Sequence, residues 1–256
     1  MARFDLTDFE WSLIQPLLPT KVRGVKRVDD RRVLNGIFWR LRTGAPWADI
    51  PSRYGPHTTC VNRFNRWRRA GVWKRILDAV SEAYAGDIQM IDSSSIRVHQ
   101  HGAKRQKKDG RSRCMGRSRG GLTTKIHAMV DAQGLPINLV LSEGQAYDGH
   151  SAYSMLDSLM PGSILLADRA YDADKLRAAI TNKGAVANIP PMPQRVRKPA
   201  FSPFLYRYRN LIERFFNKLK HFRAVATRYE KRDDNFLASV QLASIRIWLR
   251  HNESVT

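Results

Sequence analysis

Three carboxylates carry the chemistry this chain could do. Two of them close strand-like runs, Asp92 in DIQMIDSSS and Asp168 in SILLADRAYD. The third, Glu213, sits in YRYRNLIERFFNKLK. There Tyr206, Arg209, Glu213 and Lys220 fall at offsets of three, seven and fourteen, one stripe of a helix. Tyr208, Leu211, Ile212, Phe215, Phe216, Leu219 and Phe222 form the other stripe, at steps of three and four. One helix thus buries its apolar side and offers a carboxylate, two cations and a phenol on the other.

Each group alone has an ordinary explanation. Arg209 and Glu213 could be a surface pair worth about 0.3–0.5 kcal/mol. Asp92 could cap a turn in DSSS, and Asp168 could be a turn residue after a strand. Together, on a strongly basic chain, they point to metal-dependent phosphoryl transfer on nucleic acid. Opening a phosphodiester requires stabilised charge on the entering and leaving oxygens, and two divalent ions about 3.5–4 Å apart supply it. Hard ions such as Mg²⁺ (or Mn²⁺) prefer carboxylate oxygens. We therefore expect Asp92, Asp168 and Glu213 to be the catalytic residues and the ligands of two ions. Among nearby acids, Asp148 is expected to support the site from behind, Asp172 to cap the following helix, and Asp131 to make a turn. His99 and His101 form an HxH pair with no further ligands in view, which favours phosphate contact or a surface position.

Bulk composition agrees. The 256 residues include 44 Lys and Arg against 23 Asp and Glu, a net charge of +21. That excess favours a polyanionic partner. No apolar run is long enough to span a membrane, and no lipid-anchor motif is present, so a membrane role is not expected. MARFDLTDFEW lacks the apolar core of a signal peptide. Cys60 and Cys114 are isolated, which gives neither a zinc site nor a disulfide framework and fits a reducing cytoplasm. A hydrophobic content of 43% is enough for a real core.

The elements that must position these residues fall into two parts. Residues 1–85 read as a helical module. A helix over Leu6–Leu18 is capped by Thr7 with Glu10 as its capping-box partner, and Pro16 stops or bends it. Further helices follow over Asp29–Arg42, His57–Arg69 and Gly71–Tyr84. Residues 86–256 turn to strands: Ile88–Asp92 with Ile96–His99, then Thr123–Asp131 and Pro136–Leu141 as a hairpin. His150–Met160 reads as a helix and Ser163–Ala167 as a central strand buried on both faces. Asp172–Thr181 (helix), Ala185–Ile189 (strand), Tyr206–Phe222 (helix) and Asp233–Arg250 (helix) complete the chain. Ala103–Arg119 carries eight cations and one acid and reads as a flexible basic loop beside Asp92. Its Lys104, Arg105, Lys107 and Lys108 would clamp DNA backbone.

The spacing Tyr206-x-x-Arg209-x-x-x-Glu213, followed by Lys220, resembles the signature around the catalytic glutamate of bacterial insertion-sequence DDE transposases, in particular the insertion sequence five family. DSSS at Asp92 and ADRAYD at Asp168 resemble that family's two aspartate motifs. LTDFEWSLIQPLLP and LNGIFWRLRTGAPWADIP extend the likeness over nearly the whole chain.

The resemblance implies an α/β ribonuclease H-like catalytic domain, a mixed sheet with flanking helices, behind a small all-α helix-turn-helix-like module. The element order βββαβαβα agrees with it. It implies binding of the element's terminal inverted repeats, hydrolysis at their ends, and joining of the 3′-hydroxyls to target DNA. The partners would be double-stranded DNA and a second copy in a homodimer on DNA, with no small-molecule substrate. The setting would be the bacterial cytoplasm, in association with the nucleoid. The alternative is a catalytically inactive DNA-binding repressor derived from such an element. In this frame Tyr206, Arg209 and Lys220 would contact DNA phosphates, or Arg209 would orient Glu213. His57–Arg69 would be the recognition helix, placing Arg63, Arg66 and Arg69 in the groove, since Arg and Asn read guanine and adenine edges.

Overall fold

The computed structural model describes residues 4–19, 28–82, 86–103, 113–118 and 120–255. Lys104, Arg105, Lys107 and Lys108 lie outside the described residues, as does the basic stretch around Lys21–Arg27.

Local signals set the first helices. Thr7 Oγ1 accepts from the Glu10 amide, and Glu10 Oε2 accepts from the Thr7 amide, which starts α1 (Asp8–Ile14) with the expected capping box. Pro16 ends it, and the chain tightens into a 3-10 turn over Gln15–Leu17. The Asp29 side chain caps α2 (Asp30–Thr43), which stops at Gly44 with φ 74°. A Cβ at Gly44 would lie 2.9 Å from Arg223 Cβ, so glycine serves both the turn and the close approach. After α3 (His57–Arg69), left-handed Gly71 reverses the chain into α4 (Val72–Ser81). Phe64, Trp67 and Trp73 pack at ring separations of 5.2–6.1 Å between α3 and α4.

The sheet is built around β1 (Ile88–Val98). The short β2 (Gly116–Ser118) and the hairpin of β3 (Gly121–Val130) with β4 (Pro136–Glu143) lie on one side of it, β3 antiparallel to β1. Beyond α5 (Asp148–Met155), β5 (Ile164–Leu166) pairs parallel with β1, and β6 (Val186–Asn188), reached through α6 (Asp174–Asn182), pairs parallel with β5. This parallel core with an antiparallel hairpin at its edge is a ribonuclease H-like sheet. The chain continues through α7 (Pro203–Tyr206), a 3-10 turn at Arg207–Arg209, α8 (Asn210–Lys220) and α9 (Arg223–Ala226). The two-residue β7 (Thr227–Arg228) runs parallel to the end of β1, and α10 (Asp233–Val255) closes the fold.

α10 joins the parts. It is buried along most of its length, and one apolar core runs from the N-terminal helices through α8 and α10 to the sheet. The Trp248 indole donates to the Pro136 carbonyl at 2.8 Å, fixing α10 on the hairpin. Arg246 pairs with Glu10 at 2.9 Å, both side chains under 5% exposed, fixing α10 on α1.

Three elements differ from their sequence reading. Gly116–Ser118, inside the stretch read as a flexible loop, pairs antiparallel with β3 as β2, because the backbone of β3 offers it a ladder the sequence does not announce. β1 runs unbroken through Ser93–Ser95, because those serines pair with His127, Ile126 and Lys125 of β3. Cross-strand partners override the weak strand propensity of a serine run. The helix expected over Tyr206–Phe222 is divided: Pro203 starts α7, the chain tightens at Arg207–Arg209, and only then does α8 begin. Tyr208 therefore leaves the buried stripe and is exposed.

Candidate active site

Asp92 lies within β1, which the pairing with β3 and β5 holds at the centre of the sheet. Asp168 follows β5, beside β1. Its Oδ1 accepts from the Ala170 amide at 2.9 Å, starting a 3-10 turn. Asp92 uses Oδ1 in the same way, on the Ser93 amide at 2.8 Å. Each aspartate thus ties Oδ1 to backbone and turns Oδ2 toward Arg209. Glu213 stands in the first turn of α8, whose face of Ile212, Phe215, Phe216 and Leu219 is buried in the core. The β3–β4 turn holds this helix close: at Gly134, φ 76°, a Cβ would meet the Leu211 carbonyl at 2.9 Å.

The three carboxylates converge on one guanidinium. Arg209 Nη2 donates to Asp92 Oδ2 at 2.7 Å and lies 3.9 Å from Asp168 Oδ2, while Nη1 donates to Glu213 Oε1 at 2.7 Å. Exposure rises outward, from 15% for the Asp92 side chain through 36% for Asp168 to 58% for Glu213. The Arg209 side chain is 14% exposed, and its buried Nε has no hydrogen-bond partner. The guanidinium lies 5.9 Å from the Tyr206 ring centroid, and Tyr206 packs on Phe201. Asp168, Arg169, Phe201, Pro203, Tyr206 and Arg209 line an open groove of about 490 Å³ beside the cluster.

Burial pushes the Asp92 carboxyl up to about 6; Arg209 and the Ser93 amide oppose this, and Asp168 and Glu213 add to it. Burial also works against the charge on Arg209, but the surrounding anions outweigh it and hold the guanidinium more firmly protonated than usual. Asp92 is therefore the member of the pair that can take up a proton near neutrality. The donors suit a hard divalent cation in kind: three carboxylates that repel one another, aimed at one point. Among the described residues no three acidic, histidine or cysteine side chains stand close enough to hold a metal as they are, and Arg209 lies where the carboxylates converge.

The neighbouring acids separate. Asp148 pairs with Lys125 at 2.8 Å and lies 4.0 Å from His127 Nδ1. Lys125 and His127 face Ser95 and Ser93 across the ladder, one residue out of phase with Asp92 and so on the opposite face. Burial lowers the His127 pKa to about 4, against the pull of Asp148, so the ring is neutral at physiological pH. Asp172 does not cap the next helix. Its carboxylate accepts from Arg177 Nε at 2.8 Å, Arg195 Nε at 2.6 Å and the Met192 amide at 2.6 Å. It anchors the segment that brings Pro190 and Phe201 to the groove. Sequence reasoning missed this clamp, and RAYDAD carries no signal for partners so far along the chain. Asp131 does make the expected turn, accepting from the Gln133 and Leu135 amides. His99 and His101 pack ring on ring, with Tyr229 against His99.

On α3 the expected groove-reading face divides. Arg66 and Arg69 are exposed and line a shallow groove with Asn62 and Asn65. Arg63 is 5% exposed, ion-paired with Asp30 and stacked on Trp67 at 5.1 Å, so its guanidinium is used inside the fold and does not reach a base edge. Arg68 turns inward to Asp234. Lys220 is exposed in the last turn of α8.

The family described as "Transposase DDE domain" matches residues 84–248, and "Putative transposase of IS4/5 family" matches residues 6–77. The chain belongs to the insertion-sequence DDE transposases. The "Putative transposase for insertion sequence element IS6501" of Brucella ovis is 45% identical over 130 residues, which is 50% of this chain and 100% of that relative. The "Putative transposase for insertion sequence element IS402" of Burkholderia cepacia is 29% identical over 43% of this chain and 56% of its own length. In fold, the transposase resembles the piggyBac transposase of a synaptic complex with hairpin DNA, with a TM-score of 0.53 at 12% identity over 96% of this chain and 72% of that one. No described helix is long and apolar enough to cross a membrane.

Proposed function

We propose that this transposase binds the terminal inverted repeats of its insertion sequence, cleaves their ends by hydrolysis, and joins the freed 3′-hydroxyls to target DNA. The observation that carries the reading is the convergence of Asp92, Asp168 and Glu213, from a strand, the turn after a second strand and a helix far apart in sequence, on one point beside an open groove. Those three would hold divalent ions, Mg²⁺ or Mn²⁺. When bound, the ions would supply charge stabilisation on the entering and leaving oxygens. Water attacks the phosphorus at the element's end, and the bond to the 3′-oxygen breaks. That hydroxyl then attacks a target phosphodiester, the target's own bond from phosphorus to its 3′-oxygen breaks, and a new 3′-hydroxyl leaves on the target, with no covalent enzyme intermediate. Arg209 lines the groove, and its guanidinium would meet a phosphate there. Lys220 extends the cationic stripe of Glu213 along α8, and Tyr206 packs against the Arg209 guanidinium. Arg66 and Arg69, with Asn62 and Asn65, would read the terminal repeat in the major groove. Two element ends require two copies, so the working form would be a homodimer on DNA.

The test is incubation of a labelled duplex carrying the source element's end with Mg²⁺ and either wild type or Glu213→Gln. Cutting and joining by wild type, both absent in the variant with DNA binding retained, are expected. Binding alone by both proteins would instead support a repressor.

A further inference from the structure

The segment carrying Tyr206 and Arg209 has a second, unused face. Pro203, Tyr206 and Arg209 point to the carboxylate groove. Phe204, Arg207, Tyr208, Leu211 and Arg214, at steps of three and four residues, line a separate groove of about 340 Å³. The stretch 203–209 is thus a ridge between the two. Phe204 is 65% exposed and Tyr208 44%, and their rings meet edge to face at 6.3 Å. Arg207 and Arg214 are exposed beside them. Within the fold, the preceding aromatic of this segment, Phe201, packs on Tyr206, so these two rings are left facing solvent.

We propose that Phe204 and Tyr208 are a stacking platform for unpaired nucleobases of a DNA strand whose phosphate lies at the carboxylates. An aromatic face accepts any base, and flanking arginines hold the backbone beside it. Two exposed rings between two guanidiniums, on a chain of net charge +21, complement a single-stranded polyanion better than an apolar protein surface. The 203–209 stretch supplies residues to both grooves, so the rings lie on the same short segment as Tyr206 and Arg209 of the carboxylate groove. The inference rests on the proposed strand chemistry at the neighbouring site, and it assigns the place where the unpaired end is held.

The test compares a blunt duplex with the same duplex bearing a short single-stranded tail that contains 2-aminopurine. Wild type should bind the tailed duplex more tightly and quench the probe. Phe204→Ala and Tyr208→Ala should each weaken tailed binding by about 5- to 150-fold, the cost of one lost base stack, and leave blunt binding unchanged. Phe204→Trp should retain the preference. Glu213→Gln should keep both tail preference and quenching, so a failed cleavage reaction and a failed platform give different results. Equal binding of blunt and tailed duplexes by wild type would overturn the proposal. So would equal loss on both duplexes in the alanine variants, or a wild-type dimer that Phe204→Ala dissociates while the tail preference persists.

Discussion

Arg209 Nη2 lies 2.7 Å from Asp92 Oδ2, so a single guanidinium ties the centre of the sheet to the start of α8. Its other nitrogen holds Glu213, and the positive charge stands where three carboxylates meet. A divalent cation at this site competes with that charge. Arg209→Ala should bind Mn²⁺ more tightly, by about tenfold or more, since each 1.4 kcal/mol of relieved competition is a factor of ten. Titration followed by electron paramagnetic resonance reads this directly. Weaker Mn²⁺ binding would show that Arg209 instead holds the carboxylates in their ligating positions.

The raised Asp92 pKa has a signed consequence for stability. Its carboxyl titrates at about 6 in the fold against an ordinary value of 3.8. The contribution is therefore fully present below the ordinary value and is lost as pH rises through about 6. At pH 8 without metal, Asp92→Asn should be as stable as wild type or more so, by up to about 3 kcal/mol. The difference should vanish near pH 4. Urea unfolding at both pH values checks it; a variant less stable at pH 8 would place the dominant cost elsewhere.

The buried pair of Arg246 and Glu10 fastens α10 to α1. Glu10→Gln leaves a buried guanidinium without its counter-charge, and burial already lowers that group's pKa to about 10. The expected loss is about 3–5 kcal/mol of unfolding free energy. Replacing both, as Glu10→Gln with Arg246→Met, should recover a large part of it. Additive losses in the double variant would contradict the pairing.

Arg63 and Arg66, one turn apart on α3, should respond differently. Arg66→Ala should leave the thermal midpoint unchanged and cost about 1–3 kcal/mol in discrimination at one base pair of the terminal repeat. Arg63→Ala should lower the thermal midpoint, because Asp30 and Trp67 lose their partner. Binding of variant repeats by both folded proteins separates the two.

Much of this was legible from the chain. The Thr7–Glu10 capping box, the stop at Gly44 and the β3–β4 hairpin rest on local patterns, and the grouping of Asp92, Asp168 and Glu213 on the resemblance of their motifs to those of a family. What sequence reasoning missed is long-range. Nothing local tells Arg63 that Asp30 waits for it, or Asp172 that Arg195 will reach back from the far side of a helix and a strand. β1 ran past its apparent break at Ser93–Ser95 because its partners on β3 decided the matter. The division before α8 is a 3-10 turn at Arg207–Arg209 inside an otherwise good helical period, and Phe204 and Tyr208 lie exposed on either side of its start.

On the proposed function, one cluster, Asp92, Asp168 and Glu213, performs both cutting and joining. The most direct test supplies Mg²⁺ with either an intact element end or a pre-cut end bearing a free 3′-hydroxyl, to wild type and to Asp92→Asn, Asp168→Asn and Glu213→Gln. Wild type should cut the first and join the second. Each variant should bind both substrates and do neither reaction. A variant that joins the pre-cut end at the wild-type rate would show that its carboxylate does not belong to a shared site.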